Sequence, residues 1–136
     1  MNNSSGHPVV ERPRILLVED DAGVRRSLQL LLQAKGFDVR AHATGGTLLS
    51  DPLSDGATCF IADYRMENLD GLQVMAKLRA RGWTGPAILI TAFPSAELTE
   101  QANMLGFDAI IEKPFREHII TDTVERLLAS HEPPTP

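Results

Sequence analysis

The sequence predicts an α/β fold in three layers, with a parallel β-sheet between two layers of helices. Short apolar runs, typical of buried strands, alternate along the chain with stretches that have helical periodicity. Glycine follows several of the helical stretches, where a helix ends. Because a helix separates each strand from the next, the strands are predicted to run parallel through right-handed helical crossovers, with helices on both faces of the sheet.

The first half of the chain contains three of the five predicted strands. An apolar run that ends in acidic residues gives the first strand. The spacing of Val24, Leu28 and Leu31 then places these side chains on one helical face, and Gly36 is a stop signal for that helix. The predicted elements are strands over 14–18, 37–41 and 58–62, the helix that ends before Gly36, and a short helix over 44–50.

The second half repeats the alternation after a loop that contains Asp70 and Gly71. A helix ends near Gly82, and a more polar helix is followed by Gly106. Pro114 opens the last segment, in which apolar residues again share one helical face. The predicted elements are strands over 87–91 and 108–111, helices over 72–81 and 95–105, and a final helix with Ile120, Val124, Leu127 and Leu128 on its apolar face.

Length and composition indicate one folded domain, over 14–130. The chain has 136 residues, of which 43% are hydrophobic, and a net charge of −5 that argues against nucleic-acid binding by this chain. The polar segment 1–13 is expected to be a flexible tail, and the proline-rich segment 131–136 a tail or a linker stub. Cys59 is the only cysteine, which excludes an intramolecular disulfide and favours the cytoplasm. No apolar stretch approaches the roughly 18 residues of a membrane span, so no membrane partner is expected.

Polar side chains follow four of the five predicted strands, at the point where each strand ends. In a parallel sheet these ends meet at one edge, and ligands bind in the crevice outside them. Each residue alone has an ordinary explanation, since Asp21 can be a helix N-cap and a Lys-Pro pair usually forms a turn. Together they predict a functional site, because the core needs none of them. The candidate residues are Glu19, Asp20, Asp21, Asp63, Thr91 and Lys113.

Clustered carboxylates at that edge predict a cation site. Two like charges about 4 Å apart repel by about 4 kcal/mol at an effective dielectric constant of 20, and a bound cation removes this cost. Oxygen ligands with open positions suit Mg²⁺ or Mn²⁺ better than Zn²⁺. With the metal bound, Asp63 can attack a phosphoryl group and form an aspartyl phosphate. Lys113 and Thr91 can then hold two phosphoryl oxygens.

Four ordered motifs resemble those of response-regulator receiver domains, and the likeness extends from residue 14 to about residue 129. They are LLVEDD at 16–21, DYRMENLDG at 63–71, ILITA at 88–92 and KPF at 113–115. The closest similarity in character is to FixJ-type receivers. The resemblance implies a flavodoxin-like, doubly wound five-stranded sheet with strand order 2-1-3-4-5. It also implies a signalling switch that is not an enzyme and that performs only its own phosphorylation and dephosphorylation.

The resemblance further implies the role of each residue at the cation site. Asp63 would accept a phosphoryl group from a sensor histidine kinase or a histidine phosphotransfer protein. Asp20 and Asp63 would ligate Mg²⁺ through their carboxylates, and Arg65 through its main-chain carbonyl. Glu19 would complete the acidic pocket through a water molecule.

The resemblance implies a switch around Thr91. Lys113 would pair with the phosphoryl group, Thr91 would move to hydrogen-bond it, and the small Ala92 would leave space for that movement. Pro114 would follow a cis peptide bond. The output would be a partner protein or a homodimer, bound through the face made by the fourth helix, the fifth strand and the fifth helix.

Three positions depart from the pattern of the family. Glu67 stands where proline is common, which loosens the loop or adds negative charge near the metal site. Ile110 replaces the usual switch aromatic, so the signal is expected to rest on residues 92–103 in place of a rotating ring. Phe93 places a bulky ring near the path of a hydrolytic water molecule and predicts a long-lived phosphoryl state.

Two other functions remain as alternatives. An aspartyl-phosphate phosphatase would also use an Asp at a strand end and Mg²⁺, but it needs a second Asp two residues later, where this chain has Arg65. A phosphorylation-independent interaction module would not need the acidic cluster, Thr91 and Lys113 to be intact. Labelling by a small phosphodonor, with and without turnover of a phosphate ester, separates the three functions.

Overall fold

The computed structural model describes residues 12–131, so residues 1–11 of the expected N-terminal tail and residues 132–136 lie outside the described part of the chain. Strands and helices alternate through the described part, as the sequence predicts. The strands are β1 Arg14–Val18, β2 Asp38–His42, β3 Cys59–Asp63, β4 Ala87–Thr91 and β5 Ala109–Glu112. The helices are α1 Ala22–Ala34, α2 Gly45–Leu49, α3 Gly71–Ala80, α4 Ala96–Met104 and α5 Glu117–Ser130.

The five strands form one parallel sheet in the order β2-β1-β3-β4-β5, which confirms the predicted doubly wound topology. The strands are in a register that brings their carboxyl ends to the same edge. Val18 at the end of β1 lies opposite His42 on one side and Ala62 on the other, and Thr91 at the end of β4 lies opposite Glu112. Side chains that follow these residues therefore meet at one edge.

Successive residues of each strand point to opposite faces of the sheet and divide the core into two clusters. On β1, Leu16 belongs to the cluster under α2, α3 and α4, whereas Leu17 belongs to the cluster under α1 and α5. Every residue of β3 and β4 is buried, as expected for central strands covered on both sides. Each fully buried Leu or Ile contributes about 1.5–3 kcal/mol to folding, so these two strands are a firm base for the edge that follows them.

The predicted and observed elements differ mainly at their ends. The strands predicted at 37–41, 58–62 and 108–111 begin and end one residue later in the structure. Thr44 and Ser95, which the pattern included in helices, are N-caps whose hydroxyl oxygens accept hydrogen bonds from the first helical turn. Gly36, the predicted stop signal, has a φ of +95°, a conformation that favours glycine.

A single 3₁₀ turn, Ser54–Gly56, precedes β3 and was not predicted.

Within residues 12–131, none of the helices combines the length and the apolar character that a bilayer crossing requires.

Candidate functional site

The candidate residues meet at the carboxyl edge of the sheet. Asp63 and Thr91 are the last residues of β3 and β4, and Lys113 comes directly after β5. The backbone N–H of Lys113 donates to the Thr91 carbonyl at 2.8 Å, which extends the pairing of β4 and β5 by one residue. Glu19 and Asp20 follow β1, the strand next to β3. Four separate strands therefore position the site.

Glu19, Asp20 and Asp63 form an acidic cluster in which one carboxylate oxygen of each residue lies within 4.8 Å of the others. Glu19 and Asp63 are buried, whereas Asp20 is exposed. The cluster is thus open to solvent on the Asp20 side. Three oxygen donors of high charge, with an open side for water, fit a hard divalent cation such as Mg²⁺.

Protein donors already occupy both carboxylate oxygens of Glu19. Its Oε1 accepts a hydrogen bond from Lys113 Nζ at 2.9 Å, and its Oε2 accepts one from the Asp21 backbone N–H at 3.1 Å. Asp21 is also the N-cap of α1, as its sequence position suggested. With both oxygens engaged, Glu19 is better placed to act on a cation through water than by direct coordination.

Lys113 bridges two of the acids. Its ammonium lies 2.9 Å from Glu19 Oε1 and 3.3 Å from Asp63 Oδ1. Burial would lower the pKa of Lys113, but the hydrogen bond from Lys113 to Glu19 and the charges of Glu19 and Asp63 outweigh this effect, so its pKa is raised. The side chain is therefore a permanent cation at neutral pH. The peptide bond between Lys113 and Pro114 is cis.

The environment of Asp63 disfavours its charged form. Burial is the largest cause and the negative charge of Glu19 the next, and together they outweigh Lys113 and raise the pKa of Asp63 to about 7. A divalent cation beside the carboxylate would favour the charged form and lower this pKa. The protonation of Asp63 and cation binding are thus linked.

A glycine allows the loop after β3 to pack against Asp63. A Cβ atom on Gly71 would lie 2.6 Å from the Asp63 carbonyl oxygen, closer than real contacts allow. Asp70 caps α3 immediately before it, in a reciprocal pair of hydrogen bonds with Gln73. The Asp-Gly pair predicted as a loop therefore has a packing role at the site.

The Thr91 hydroxyl is buried beside the acidic cluster and has a local partner. Its Oγ1 accepts a hydrogen bond from the Phe93 backbone N–H at 3.1 Å, so the hydroxyl proton is still available for donation.

Phe93 itself is 66% exposed. The Arg65 guanidinium carbon lies 5.2 Å from the centroid of the Phe93 ring, a cation–π contact at the rim of the site. Ala92 is exposed.

The two other departures from the family pattern have different surroundings. Glu67 is exposed and lines an open depression together with Asp20 and Asp70, so it adds negative charge on the solvent side of the acidic cluster. Ile110 is half-buried and packs against the core cluster under α4.

Sequence reasoning missed Arg25, which donates from Nη1 to the Glu19 carbonyl at 2.8 Å. The available signal was spacing, since Arg25 lies one helical turn after the N-cap, and a helical side chain leans towards the N-terminus. His42 pairs with the buried carboxylate of Asp51 at 2.9 Å, and Arg40 pairs with the same oxygen. Sequence reasoning did not find this pairing, because the two partners meet only when β2 packs beside the segment after α2.

Comparisons with known proteins agree with the motifs. The family model for the response regulator receiver domain matches residues 15–125. The chain is 34% identical over 115 residues to the transcriptional regulatory protein TdiR of Thauera aromatica, covering 85% of this chain and 51% of the relative. It is 35% identical over 119 residues to the C4-dicarboxylate transport transcriptional regulatory protein DctR of Rhodobacter capsulatus, covering 85% and 60%. The chain thus spans about half to three-fifths of the length of these curated relatives.

Solved structures have the same fold. The crystal structure of FixJ-N superposes with a TM-score of 0.77 at 26% identity and covers 93% of this chain and 100% of that one. The non-phosphorylated receiver domain of HemR from Leptospira biflexa gives a TM-score of 0.83 at 24% identity and covers 91% and 100%.

Proposed function

The chain belongs to the response regulator receiver domain family, and from this premise we propose that it is a phosphoacceptor switch in which Asp63 takes a phosphoryl group in the presence of Mg²⁺. Proteins of this family are signalling switches of two-component systems. The observation that carries the proposal is the position of Asp63, with its Oδ1 3.3 Å from Lys113 Nζ and an oxygen within 4.8 Å of ligand oxygens of Glu19 and Asp20.

The residues divide the transfer of the phosphoryl group among them. An Asp63 oxygen attacks the phosphorus of a phosphohistidine, and the P–N bond breaks with its electron pair remaining on the imidazole nitrogen, which takes up a proton. Lys113 is close enough to move from Asp63 to a phosphoryl oxygen, and the Thr91 hydroxyl has a proton to donate to another. Mg²⁺, held by Asp20, Asp63 and the Arg65 main-chain carbonyl, would neutralise the negative charge that otherwise opposes the approach of a phosphate.

The phosphodonor would be a histidine-carrying kinase or phosphotransfer protein. An apolar groove beside the site supports this partner, because a helix that presents a histidine to Asp63 must lie against the same edge of the sheet. The groove lies between α1 and the segment that follows β5. Its lining residues include Val24, Leu28, Leu31, Ala92, Lys113 and Phe115.

The output would be a partner protein or a second copy bound through the α4, β5 and α5 face. Met104 on α4 is 81% exposed and Ile119 on α5 is 39% exposed, so apolar side chains are available there. The net charge of −5 supports a protein partner over nucleic acid for this chain. We place the protein in the cytoplasm, where a buried free cysteine such as Cys59 stays reduced.

The site does not favour a phosphatase. A phosphatase of the aspartyl-phosphate class needs a carboxylic acid two residues after its nucleophile, and Arg65 at that position stacks on Phe93 instead. A phosphorylation-independent module would not need Lys113 to pair with two acids, as it does here.

Intact-mass measurement after treatment with acetyl phosphate and Mg²⁺ tests the proposal. We expect one phosphoryl adduct in the parent protein, none in Asp63→Asn, and none in Asp20→Asn because a metal ligand is lost. An adduct that persists unchanged in Asp63→Asn refutes the assignment. Steady turnover of a phosphate ester would indicate a phosphatase, and absence of any adduct in the parent would favour the phosphorylation-independent module.

A further inference from the structure

Glu19 is held at each of its polar groups, and one of the donors is a side chain from α1. The Glu19 backbone N–H donates to the His42 carbonyl at 3.0 Å. Lys113 and the Asp21 backbone N–H occupy its two carboxylate oxygens. The remaining group, the Glu19 carbonyl, accepts from Arg25 Nη1 at 2.8 Å.

The Glu19 carbonyl needs this donor because it lies just beyond the strand ladder. β1 ends at Val18, and Glu19 is only 1% exposed, so water has little access to it. Among the residues that the structure describes, Arg25 is its one hydrogen-bond donor. A buried carbonyl without a hydrogen-bond donor destabilises the folded protein, so without Arg25 we expect this peptide bond to rotate towards another donor.

The Arg25 side chain contacts the backbone and not the acidic side chains. Within residues 12–131 its guanidinium forms no salt bridge with a carboxylate. The Arg25 backbone N–H donates to the Asp21 carbonyl at 2.9 Å, in the first turn of α1. The helix therefore fixes the position of the Arg25 backbone, and the hydrogen bond to the Glu19 carbonyl fixes the position of its guanidinium group.

We propose that Arg25 is a positioning residue for the divalent-cation site. By holding the Glu19 carbonyl, it sets the plane of the peptide bond between Glu19 and Asp20, and with it the directions of both carboxylates. In other proteins, the groups that hydrogen-bond to metal ligands orient those ligands, and their loss weakens metal binding. The inference rests on the proposed function, because it assumes that a cation binds to the acidic cluster.

The test compares three variants in a Mg²⁺ titration followed by amide NMR, without phosphodonor. Arg25→Met keeps an apolar stem but has no donor, and Arg25→Lys keeps the charge and one donor group. Arg26→Met is the matched control, because Arg26 is an exposed neighbour on the same helix that makes no side-chain hydrogen bond to another described residue. We expect Arg25→Met to bind Mg²⁺ about 10-fold more weakly than the parent, Arg25→Lys to lie between them, and Arg26→Met to match the parent.

Two further measurements separate positioning from general damage. In metal-free protein, the amide signals of Asp20 and Asp21 should shift in Arg25→Met and stay in place in Arg26→Met. In acetyl phosphate labelling, Arg25→Met should need more Mg²⁺ for half-maximal labelling, while its rate at saturating Mg²⁺ approaches that of the parent. A general loss of structure would lower that saturated rate as well.

The outcomes separate a failure of the Arg25 inference from a failure of the proposed phosphoacceptor function. If the parent binds Mg²⁺ and a folded Arg25→Met binds it within about twofold of the parent, where about 10-fold is expected, Arg25 has no positioning role. If the parent itself binds no Mg²⁺, the proposed function fails and the inference with it. If Arg25→Met does not fold, Arg25→Lys decides, and an affinity equal to that of Arg26→Met overturns the proposal.

Discussion

Asp63 is placed where its charge is costly to the folded protein. Its pKa is raised to about 7 by burial first and by the charge of Glu19 second. A free aspartate has a pKa near 3.9, so without metal the folded state binds the Asp63 proton more tightly than the unfolded state does. The free energy of unfolding therefore decreases as the pH rises from about 4 to about 7, and the deficit persists above that range.

This linkage predicts that Asp63→Asn stabilises the metal-free protein. One pKa unit corresponds to about 1.4 kcal/mol, and water on the open side of the site screens part of the effect, so we expect a gain of roughly 1–3 kcal/mol at pH 8. Urea unfolding in the presence of a chelator measures it. The gain should be much smaller at pH 4.5, and an equal gain at both pH values would contradict the raised pKa of Asp63.

The contact between Arg65 and Phe93 predicts a slow loss of the phosphoryl group. Both side chains stand at the rim of the site, where we expect them to restrict the water that would attack the phosphorus. Phe93→Ala should speed dephosphorylation by about two- to fivefold, the effect of an exposed cation–π contact of about 0.5–1 kcal/mol. Phe93→Tyr keeps the ring and serves as the control. A Phe93→Ala protein that decays no faster than the parent rules out shielding.

At the scale of elements, an ionic network fastens β2 to the segment after α2. The buried Asp51 carboxylate pairs with Arg40 and His42 on β2 and also accepts from the Leu53 backbone N–H. The hydrogen bond from Arg40, the largest cause, and that from Leu53 hold the pKa of Asp51 well below its usual range. Because the His42 carbonyl in turn holds the Glu19 backbone N–H, the network also supports the strand end next to the site.

The depressed pKa of Asp51 predicts a stability contribution that depends on pH. It is fully present above the unfolded pKa of about 4 and is lost as the pH falls towards the folded value. Asp51→Asn should lower the free energy of unfolding by about 1–3 kcal/mol at pH 7, as expected for hydrogen bonds to a charged group. Urea unfolding from pH 7 to pH 3 should show the difference from the parent shrinking. A difference that stays constant would assign the cost to lost packing instead.

For the molecule taken together, the proposed switch requires a signal to pass from Asp63 to the α4, β5 and α5 face. Ile110 offers no ring to rotate, so we expect the movement to pass through the loop after Thr91 and through α4. Thr91 is linked directly to this loop by the hydrogen bond between its hydroxyl oxygen and the Phe93 N–H. Only Leu98 and Ala102 of α4 are buried, whereas α3 and α5 bury four and five residues, so we expect α4 to be easier to displace than these two helices.

Beryllofluoride, a phosphoryl mimic, tests this route by amide NMR. We expect shifts both in the Asp63 loop and across residues 92–111, because a switch needs a surface that differs between its two states. Thr91→Val, which lacks the hydroxyl, should confine the shifts to the Asp63 loop. Silence of residues 92–111 in the parent protein would exclude the α4, β5 and α5 face as the output.

Residue order alone was enough to predict the alternation of elements and which side chains gather at the site. Both follow from local rules: the spacing of apolar residues distinguishes strand from helix, and parallel strands bring their carboxyl ends to one edge. The positions of Asp63, Thr91 and Lys113 at or just after strand ends were therefore enough to predict that they lie together. Element ends were less well determined, because capping residues such as Thr44 and Ser95 are also tolerated inside a helix.

The contacts between side chains, and the pKa shifts that follow from them, could be read only from the folded protein. The hydrogen bond from Arg25 to the Glu19 carbonyl and the pairing of His42 with Asp51 depend on how one element packs beside another. The same is true of the raised pKa of Asp63, which comes from burial and from a charge that another strand supplies. Distance and desolvation govern these interactions, and neither can be obtained from residue order before the chain has folded.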